Sequence, residues 1–258
     1  MRPSIFVISL PGSVDRQQAI TQQLSQHGLE FSWLDGVDGR RLAAPELATV
    51  YSAQRAETEG GRQLNAGEIG CALSHQKVYR QMLAADIPLA LVLEDDAALD
   101  GDFAQRLAEI CATLDWQAVD LLLLSHIQKY TAWGARAIAG DRELVRPVVA
   151  YNGNGYLLTR RAAQLLLAQL TPIYQPADCW NHLREQRVLT IRGIVPYLVN
   201  HSRLSEDSLI GETMRAAPAA PVLQRSWLKL LKRLVYDKFL YQLVVKPLLR
   251  IRRQPVRW

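Results

Sequence analysis

The stretch "LALVLEDDAALD", residues 89–100, runs from a wholly apolar segment directly into three consecutive carboxylates, Glu94, Asp95 and Asp96. The unbroken apolar run at its start predicts a strand that is buried on both faces. Like charges at the end of such a strand repel one another, and their burial is costly unless a cation or several hydrogen-bond donors compensate. The stretch therefore predicts either an exposed acidic turn or a site that holds something positive.

Around this strand, short apolar runs alternate with segments of helical periodicity. This alternation predicts an α/β fold of the Rossmann type, with helices on both faces of a mainly parallel sheet in three layers. Ligands of such folds bind beyond the carboxyl ends of the strands, where the three carboxylates are expected. The predicted strands lie at 5–10, 29–34, 89–93 and 119–125, on both sides of the glycine turn at 153–155, and as a pair within 188–200; the predicted helices lie at 15–27, from 64 onward, at 102–113 and 160–170, and from Asp178 onward.

The composition is that of an ordinary globular protein of 258 residues, with 49% hydrophobic and 21% charged residues. Three scattered cysteines without CxxC spacing predict a reducing compartment rather than a disulfide framework. The apolar run near the start is too short for a signal peptide, and we expect no membrane-spanning segment. We therefore expect a cytoplasmic protein with one α/β domain over residues 1–212, an Ala/Pro-rich linker over 213–224 and a tail over 225–258.

The positive charge is concentrated in the tail. Residues 222–258 hold ten basic residues and one acidic residue, a net +9, whereas the remainder of the chain carries a net −4. A helix over 222–239 would place Trp227 and several leucines on one face and Lys and Arg side chains on the other, which predicts peripheral binding to an anionic membrane at its cytoplasmic face. The alternative is a helix docked on the body of the protein. The acidic body argues against nucleic acid as a partner.

Glu94 and Asp96 flank a single residue, so that their oxygens are able to converge on one point. A few hard oxygen ligands suit Mg²⁺ or Mn²⁺, which would then accept diphosphate oxygens. Such a site would support the departure of a nucleoside diphosphate. Taken alone, the tripeptide favours the simpler interpretation of a solvated acidic turn.

The surrounding segments change this interpretation. "LNAGEIGCALSH" (64–75) precedes the carboxylates, and the chain opens with "VISLPGSVDRQQ" (7–18). "NGYLLTRRAAQLLL" (154–167) and "QPADCW" (175–180) follow. Together these segments resemble glycosyltransferase family 25, the lipooligosaccharide-biosynthesis glycosyltransferases, over residues 1 to about 210.

The resemblance implies a GT-A-like fold, a UDP-sugar donor, a divalent cation (Mn²⁺ or Mg²⁺) and inversion at the anomeric carbon. It also implies that Glu94, Asp95 and Asp96 are the family's DxD-like motif, with Asp96 and Glu94 on the metal and His201 as a third ligand. A surface role is the alternative for His201, as a structural role is for His75. The donor-binding residues that the resemblance implies are Leu10, Arg16, Asp35, Gly36, Asp38, Asn65, Gly67, Glu68, Ser74, His75, Glu94 and Asp95.

Inversion requires a base on the face opposite the leaving diphosphate, and Asp178 in "QPADCW" is the candidate. Its alternative role is the N-cap of the helix that follows. Trp180 is a candidate for stacking on a sugar or for the core, and the segment around Ser208 for a mobile flap. The implied reaction transfers galactose from UDP-galactose, in β linkage, to a lipid-linked saccharide of lipopolysaccharide or lipooligosaccharide. UDP-glucose as donor, or a non-catalytic membrane-associated sugar-nucleotide-binding protein, are the alternatives.

Overall fold

The computed structural model describes residues 1–202 and 246–256. The predicted linker, the predicted amphipathic helix and the Ser208 segment therefore lie outside the described residues. Within the described ranges, no helix is both long enough and apolar enough to cross a bilayer.

Eleven strands and seven numbered helices make up the described part of the chain. The strands are β1 (Ser4–Ser9), β2 (Ser32–Asp35), β3 (Leu89–Glu94), β4 (Ala97–Leu99), β5 (Leu121–Leu123), β6 (Lys129–Ala139), β7 (Arg142–Val149), β8 (Gly155–Thr159), β9 (Ile191–Val195), β10 (Val199–His201) and β11 (Ile251–Arg253). The helices are α1 (Val14–Gln26), α2 (Ala44–Val50), α3 (Ala53–Thr58), α4 (Ala66–Ala84), α5 (Phe103–Thr113), α6 (Arg160–Leu170) and α7 (Trp180–Glu185), with a 3-10 turn at Gly39–Arg41 and a short helix at Lys246–Leu248.

Nine strands form one sheet in the order β11-β6-β7-β9-β5-β8-β3-β1-β2. The pairs β1–β2, β1–β3 and β5–β9 are parallel, whereas β8 runs antiparallel between β3 and β5. The β6–β7 hairpin and β11 add further antiparallel pairs at one edge. The α/β class is as predicted, but the sheet is mixed rather than mainly parallel, because β8 and β7 enter it without a crossover helix before them.

The two faces of the sheet carry separate hydrophobic clusters, as the alternation of side chains along each strand requires. In β3, Ala90 and Val92 point to one face, while the leucines at 89, 91 and 93 point to the other. Helices α4, α6 and α7 cover the first face, and α1 and α5 cover the second. The protein therefore has the three layers that the sequence predicts, with β3 buried between them.

Two glycines allow the turn after β2 to contact the first turns of α4. A Cβ on Gly39 would overlap the carbonyl group of Ala66, and a Cβ on Gly70 would lie 2.5 Å from the backbone nitrogen of Gly39. In addition, the hydroxyl of Ser74 accepts a hydrogen bond from the backbone of Val37 at 2.8 Å. The β2 turn and the start of α4 therefore form one packed wall beside the carboxyl ends of β1 and β3.

The end of the described chain returns to the sheet. β11 pairs antiparallel with β6 at the sheet edge. Gln254, which follows it, is buried and accepts a hydrogen bond from the backbone nitrogen of Ile127 at 2.8 Å. Residues 251–254, which the sequence analysis places in the membrane-associated tail, are thus docked on the body, and the amphipathic-helix prediction concerns residues that the structure does not describe.

Candidate active site

The three carboxylates lie in a tight turn between β3 and β4, at the carboxyl edge of the sheet. Glu94 ends β3, and the backbone nitrogen of Asp95 donates to the carbonyl of Ile8 at 3.0 Å, which ties the turn to β1. Asp95 and Asp96 are 8% and 9% exposed. The solvated acidic turn considered above is therefore excluded, since these carboxylates are buried and need compensating partners.

Asp95 finds its partners within the protein. The hydroxyl of Ser9 donates to Asp95 Oδ2 at 2.7 Å, and a guanidinium nitrogen of Arg16 lies 3.5 Å from Oδ1. Burial raises the pKa of Asp95, and the contacts with Ser9 and Arg16 partly offset this. Asp95 therefore connects β3 to β1 and to α1, and helps to hold the Arg16 guanidinium.

Asp96 is only partly compensated. Its Oδ2 lies 3.5 Å from Nδ1 of His201, and this pairing raises the pKa of His201. The register of the small sheet explains the proximity, because β10 pairs with β4 so that His201 faces Ala97. Asn154, whose Nδ2 donates to the carbonyl of Asn200 at 3.0 Å, packs 3.4 Å from the same ring nitrogen.

The residues present fit a divalent cation. Among the described residues, nothing donates a hydrogen bond to the buried Oδ1 of Asp96. A buried carboxylate oxygen without a donor is costly, and a cation would satisfy it. Asp96 and His201, with Glu94 next to them in the turn, are the residues that would hold Mn²⁺ or Mg²⁺, as the sequence predicts. The fold brings this set together, although its metal-binding role stays a prediction.

Glu94 also belongs to a buried hydrogen-bond network. His75 is 1% exposed, and its Nε2 lies 3.2 Å from Glu94 Oε1. Its Nδ1 lies 2.6 Å from the hydroxyl of Tyr156, which in turn lies 2.9 Å from the hydroxyl of Tyr79. Because both ring nitrogens are engaged, His75 positions Glu94, a structural role at the edge of the pocket.

Cys71, His75 and Glu94 form a second possible metal-binding group, since one ligand atom of each lies within 4.8 Å of the others. Burial raises the pKa of the Cys71 thiol well above its usual value, with the nearby carboxylates adding to the effect. The thiolate that a metal would need is therefore disfavoured. The carboxylate-rich set around Asp96 matches the preference of Mg²⁺ and Mn²⁺ better.

A first pocket of about 370 Å³ lies between the ends of β1 and β3, the β2 turn and the start of α4. We name it the donor pocket. The predicted donor-binding residues that line it are Leu10, Arg16, Gly36, Asp38, Gly67, Ser74, His75, Glu94 and Asp95. The fold thus brings together residues that are far apart in sequence. The lining combines apolar residues and glycines with two arginines and several carboxylates, which suits a nucleotide whose phosphates are bound together with a cation.

Three of the predicted donor-binding residues do not line this pocket. Asp35 is exposed, and its carbonyl accepts a hydrogen bond from Lys77 at 2.5 Å. Asn65 and Glu68 form a capping box at the start of α4, in which each side chain bonds to the backbone of the other. Glu68 is further held by two hydrogen bonds from Arg62 and lines a neighbouring pocket instead. The capping interaction accounts for the positions of Asn65 and Glu68 outside the lining of the donor pocket, and a donor-binding role for these three residues stays a prediction.

A second pocket, of about 640 Å³, adjoins the first. We name it the acceptor pocket. Both pockets are lined by Cys71, Glu94 and Asp96, so the acidic turn lies where they meet. Asp178 and His201 line the acceptor pocket, as does Tyr151, which is 58% exposed. Two adjoining cavities that share these carboxylates have room for two different molecules beside the acidic turn.

Asp178 carries the strongest functional indication in this pocket. Burial, together with the negative charge of Glu94, raises the pKa of Asp178 to about 6. Helix α7 has Cys179 as its N-cap, so Asp178 does not cap it, contrary to the alternative from the sequence. Trp180 is buried, contacts Tyr156 edge-on and donates to the carbonyl of Asn152 at 2.9 Å, which makes it a core residue.

Sequence reasoning missed several residues of the site. Arg62 lines the acceptor pocket, Asn154 packs beside His201, and Tyr156 fixes His75. Asn154 is 2% exposed, and its Oδ1 accepts a hydrogen bond from Ser125 at 2.6 Å. A glycine turn was predicted at Gly153, but nothing in the local sequence indicated that Asn154 contacts a histidine 47 positions away.

The chain belongs to glycosyltransferase family 25. Residues 2–139 match the family described as "Glycosyltransferase family 25 (LPS biosynthesis protein)". The matched region contains β1, the β2 turn, α4 and the acidic turn, and therefore most of the donor pocket. The recognition made from the sequence is thus confirmed.

Curated relatives of the family are similar to this chain at low identity. "Procollagen galactosyltransferase 1-B" of Xenopus laevis is 29% identical over 63% of this chain and 28% of its own length. "Inactive glycosyltransferase 25 family member 3" of Homo sapiens is 29% identical over 64% of this chain and 28% of its own length. The chain spans less than a third of the length of these relatives. The family therefore holds members named as galactosyltransferases and members named as inactive.

A solved structure, that of a glycosyltransferase involved in the glycosylation of the major capsid of PBCV-1, covers 83% of this chain and 100% of its own. The two share 11% sequence identity, with a TM-score of 0.40. A structural similarity this low supports no inference about function.

Proposed function

We propose that this protein is a metal-dependent, inverting hexosyltransferase with a GT-A-type fold. The observation that supports this most directly is that the donor and acceptor pockets meet at Glu94 and Asp96, with Asp178 in the acceptor pocket. A divalent cation held by Asp96, His201 and Glu94 would supply neutralisation of the charge on a leaving diphosphate.

In the proposed reaction, an acceptor hydroxyl attacks the anomeric carbon while the bond from that carbon to the UDP oxygen breaks. The Asp178 carboxylate accepts the hydroxyl proton, and UDP departs with the electron pair of the broken bond. A pKa of about 6 leaves Asp178 ionised at neutral pH and still basic enough to accept a proton. Arg16, held beside Asp95 at the wall of the donor pocket, would contact the negatively charged nucleotide.

UDP-galactose is the proposed donor, with a β-linked product, and UDP-glucose is the nearest alternative. The names of the galactosyltransferase relatives support galactose. The proposed acceptor is a saccharide of lipopolysaccharide or lipooligosaccharide, which the family's description supports. In the acceptor pocket, the exposed ring of Tyr151 offers a stacking surface for a sugar.

The proposal also includes a location: the protein binds the cytoplasmic face of the inner membrane through its basic amphipathic tail. The uneven distribution of charge along the sequence supports it. A lipid-linked acceptor would then be reached at the membrane surface.

Turnover assays with UDP-galactose and UDP-glucose, in the presence of Mn²⁺, test the proposal. A core oligosaccharide and a procollagen peptide serve as alternative acceptors. We expect galactosyl transfer to the oligosaccharide, and a loss of about 10²–10⁴-fold in kcat for Asp178→Asn, which keeps the shape of the side chain and removes the base. UDP binding should be unchanged in this variant.

The absence of turnover with every donor, despite metal-dependent UDP binding, would instead support the non-catalytic alternative. The relative named as inactive makes that alternative concrete. Transfer to the peptide alone would contradict the saccharide acceptor while leaving the donor assignment intact.

A further inference from the structure

A third pocket, remote from the acidic turn, has a volume of about 400 Å³ and a strongly basic lining. We name it the arginine pocket. Its charged lining residues are Arg146, Arg161, Arg184, Arg187, Arg192 and Asp120. Its volume is typical of sites for small molecules.

The arginine pocket lies at the opposite edge of the sheet from the active site. It is built at the amino ends of β5 and β9, which run parallel to each other. β3 and β5 both run antiparallel to β8, and β9 runs parallel to β5. The strands β3, β5 and β9 therefore share one direction. The acidic turn follows the carboxyl end of β3. The arginine pocket is therefore separate from the donor and acceptor pockets.

The only carboxylate in its lining is already committed. Asp120 is 4% exposed, pairs with Arg161 and accepts a hydrogen bond from the backbone of Thr190 at 2.8 Å. Arg184 pairs with Glu185, which lies outside the lining, at 3.2 Å, whereas within the described part of the chain the guanidinium groups of Arg146 and Arg187 have no ion pair or hydrogen bond. Five guanidinium groups are thus set against two carboxylates, Asp120 within the lining and Glu185 beside it, and an excess positive charge remains in the pocket.

Two of the arginines are held in place by backbone carbonyls. Arg184 Nη1 donates to the carbonyls of Pro147 and Val148 at 2.8 and 2.7 Å, and Arg192 Nη1 donates to that of Ile191 at 3.0 Å. Burial, together with the charges of Arg146 and Arg136, lowers the pKa of Arg192. The pocket is therefore preorganised, and its positive charges repel one another in the absence of an anion.

We propose that the arginine pocket is a second binding site, which takes a phosphate monoester or diphosphate group. Planar guanidinium groups bind phosphate oxygens in pairs, and phosphate carries enough charge to neutralise several of them, whereas a single carboxylate does not. The group is supplied either by a soluble phosphate compound or by a phosphate-bearing lipid headgroup. This site does not depend on the proposed transfer reaction.

The test is calorimetric titration of the full chain with pyrophosphate in EDTA, which removes any metal-mediated diphosphate binding at the donor pocket. Arg187 has a φ of +55°, which glycine adopts more readily than arginine, so Arg187→Gly removes a charge without disturbing the backbone. The double variant Arg146→Gln/Arg187→Gly should bind pyrophosphate about tenfold or more weakly than wild type. Arg80→Gln, at an exposed arginine of α4, is the matched control and should bind as wild type does.

Equal pyrophosphate affinity in the wild type and the double variant, or no binding to the wild type, would overturn the proposal. Metal-dependent UDP binding, measured separately, should be the same in the wild type, the double variant and Arg80→Gln. A failure of the arginine-pocket proposal is thereby distinguished from a failure of the donor-site proposal. Vesicles of phosphatidylcholine with either phosphatidic acid or phosphatidylserine, at equal surface charge, then identify the source. A preference for phosphatidic acid that the double variant lacks supports a headgroup, and vesicle binding unchanged by the substitutions supports a soluble phosphate compound.

Discussion

At the scale of single residues, the account depends on Asp178 more than on any other side chain outside the acidic turn. It lines the acceptor pocket, is not used as a helix cap, and has a pKa raised to about 6. A buried carboxylate with a raised pKa costs the folded state free energy whenever it is ionised. The residue proposed as the base is therefore one that the fold tolerates at the expense of stability.

This cost predicts how stability depends on pH. Because the pKa of Asp178 in the folded state, about 6, exceeds the ordinary aspartate value of 3.8, the folded state binds the proton more tightly than the unfolded chain does. This contribution to stability is lost as the pH rises from about 4 through 6. Above pH 6, Asp178→Asn should therefore unfold at a higher urea concentration than the wild type, and its free energy of unfolding should be larger by up to about 3 kcal/mol. This difference should shrink towards pH 4. Urea denaturation of the metal-free proteins at several pH values measures this.

A difference between the two proteins that does not vary with pH would contradict the raised pKa. The same group should also shape the activity of the wild type. The value of kcat/KM should rise with pH through about 6, because only the ionised carboxylate accepts the acceptor's proton.

At the scale of elements, the donor pocket depends on the close contact between the β2 turn and α4. A Cβ on Gly70 would overlap the carbonyl oxygen of Val37 and crowd the nitrogen of Gly39, and backbone atoms of this kind cannot yield as a flexible side chain does. Gly70→Ala should therefore push the turn away from the helix. We expect a loss of about 1–3 kcal/mol in unfolding free energy and weaker UDP binding.

Gly101→Ala is the matched control, since a Cβ at this position meets open space. Thermal unfolding and UDP titration of both variants measure the effect. An unchanged UDP affinity in Gly70→Ala would show that the turn does not contribute to the donor pocket.

The accuracy of the sequence-based predictions follows the physics of each element. Helix α6 was predicted to the residue, because its apolar face recurs with helical period and Pro172 follows its end. The β6–β7 hairpin was not foreseen as a hairpin, since β6 is half exposed, contains Gly134 and pairs with irregular register. The mixed sheet was missed for a different reason. Local periodicity indicates that a strand exists but not in which direction it runs.

At the scale of the whole molecule, the candidate site was predictable where the sequence carried a motif and not where it depended on long-range contacts. The acidic turn, Asp178 and His201 were predicted, and the fold places them around one cavity. Arg62, Asn154 and Tyr156 were not, because their roles exist only once α4, β8 and β10 have been brought together. The arginine pocket is a similar case, since its charges come from five separate places in the chain.

The whole molecule therefore presents two chemically opposite regions. Among the described residues, the buried Asp96 carboxylate, with one oxygen that accepts no hydrogen bond, lies at one edge of the sheet, and arginines that outnumber their carboxylate partners lie at the other. Each imbalance indicates a ligand of opposite charge. The proposed ligands are a cation together with a sugar nucleotide at the first region and a phosphate group at the second.

The central claim is that the acidic turn binds a nucleoside diphosphate through a divalent cation. Its most direct test is calorimetric titration of UDP with and without Mn²⁺ into wild type, Asp96→Ala and, as a control, Asp115→Ala at an exposed aspartate. We predict metal-dependent binding by the wild type and the control, and none by Asp96→Ala. UDP binding that is independent of both Mn²⁺ and Asp96, or no UDP binding at all, would contradict the account.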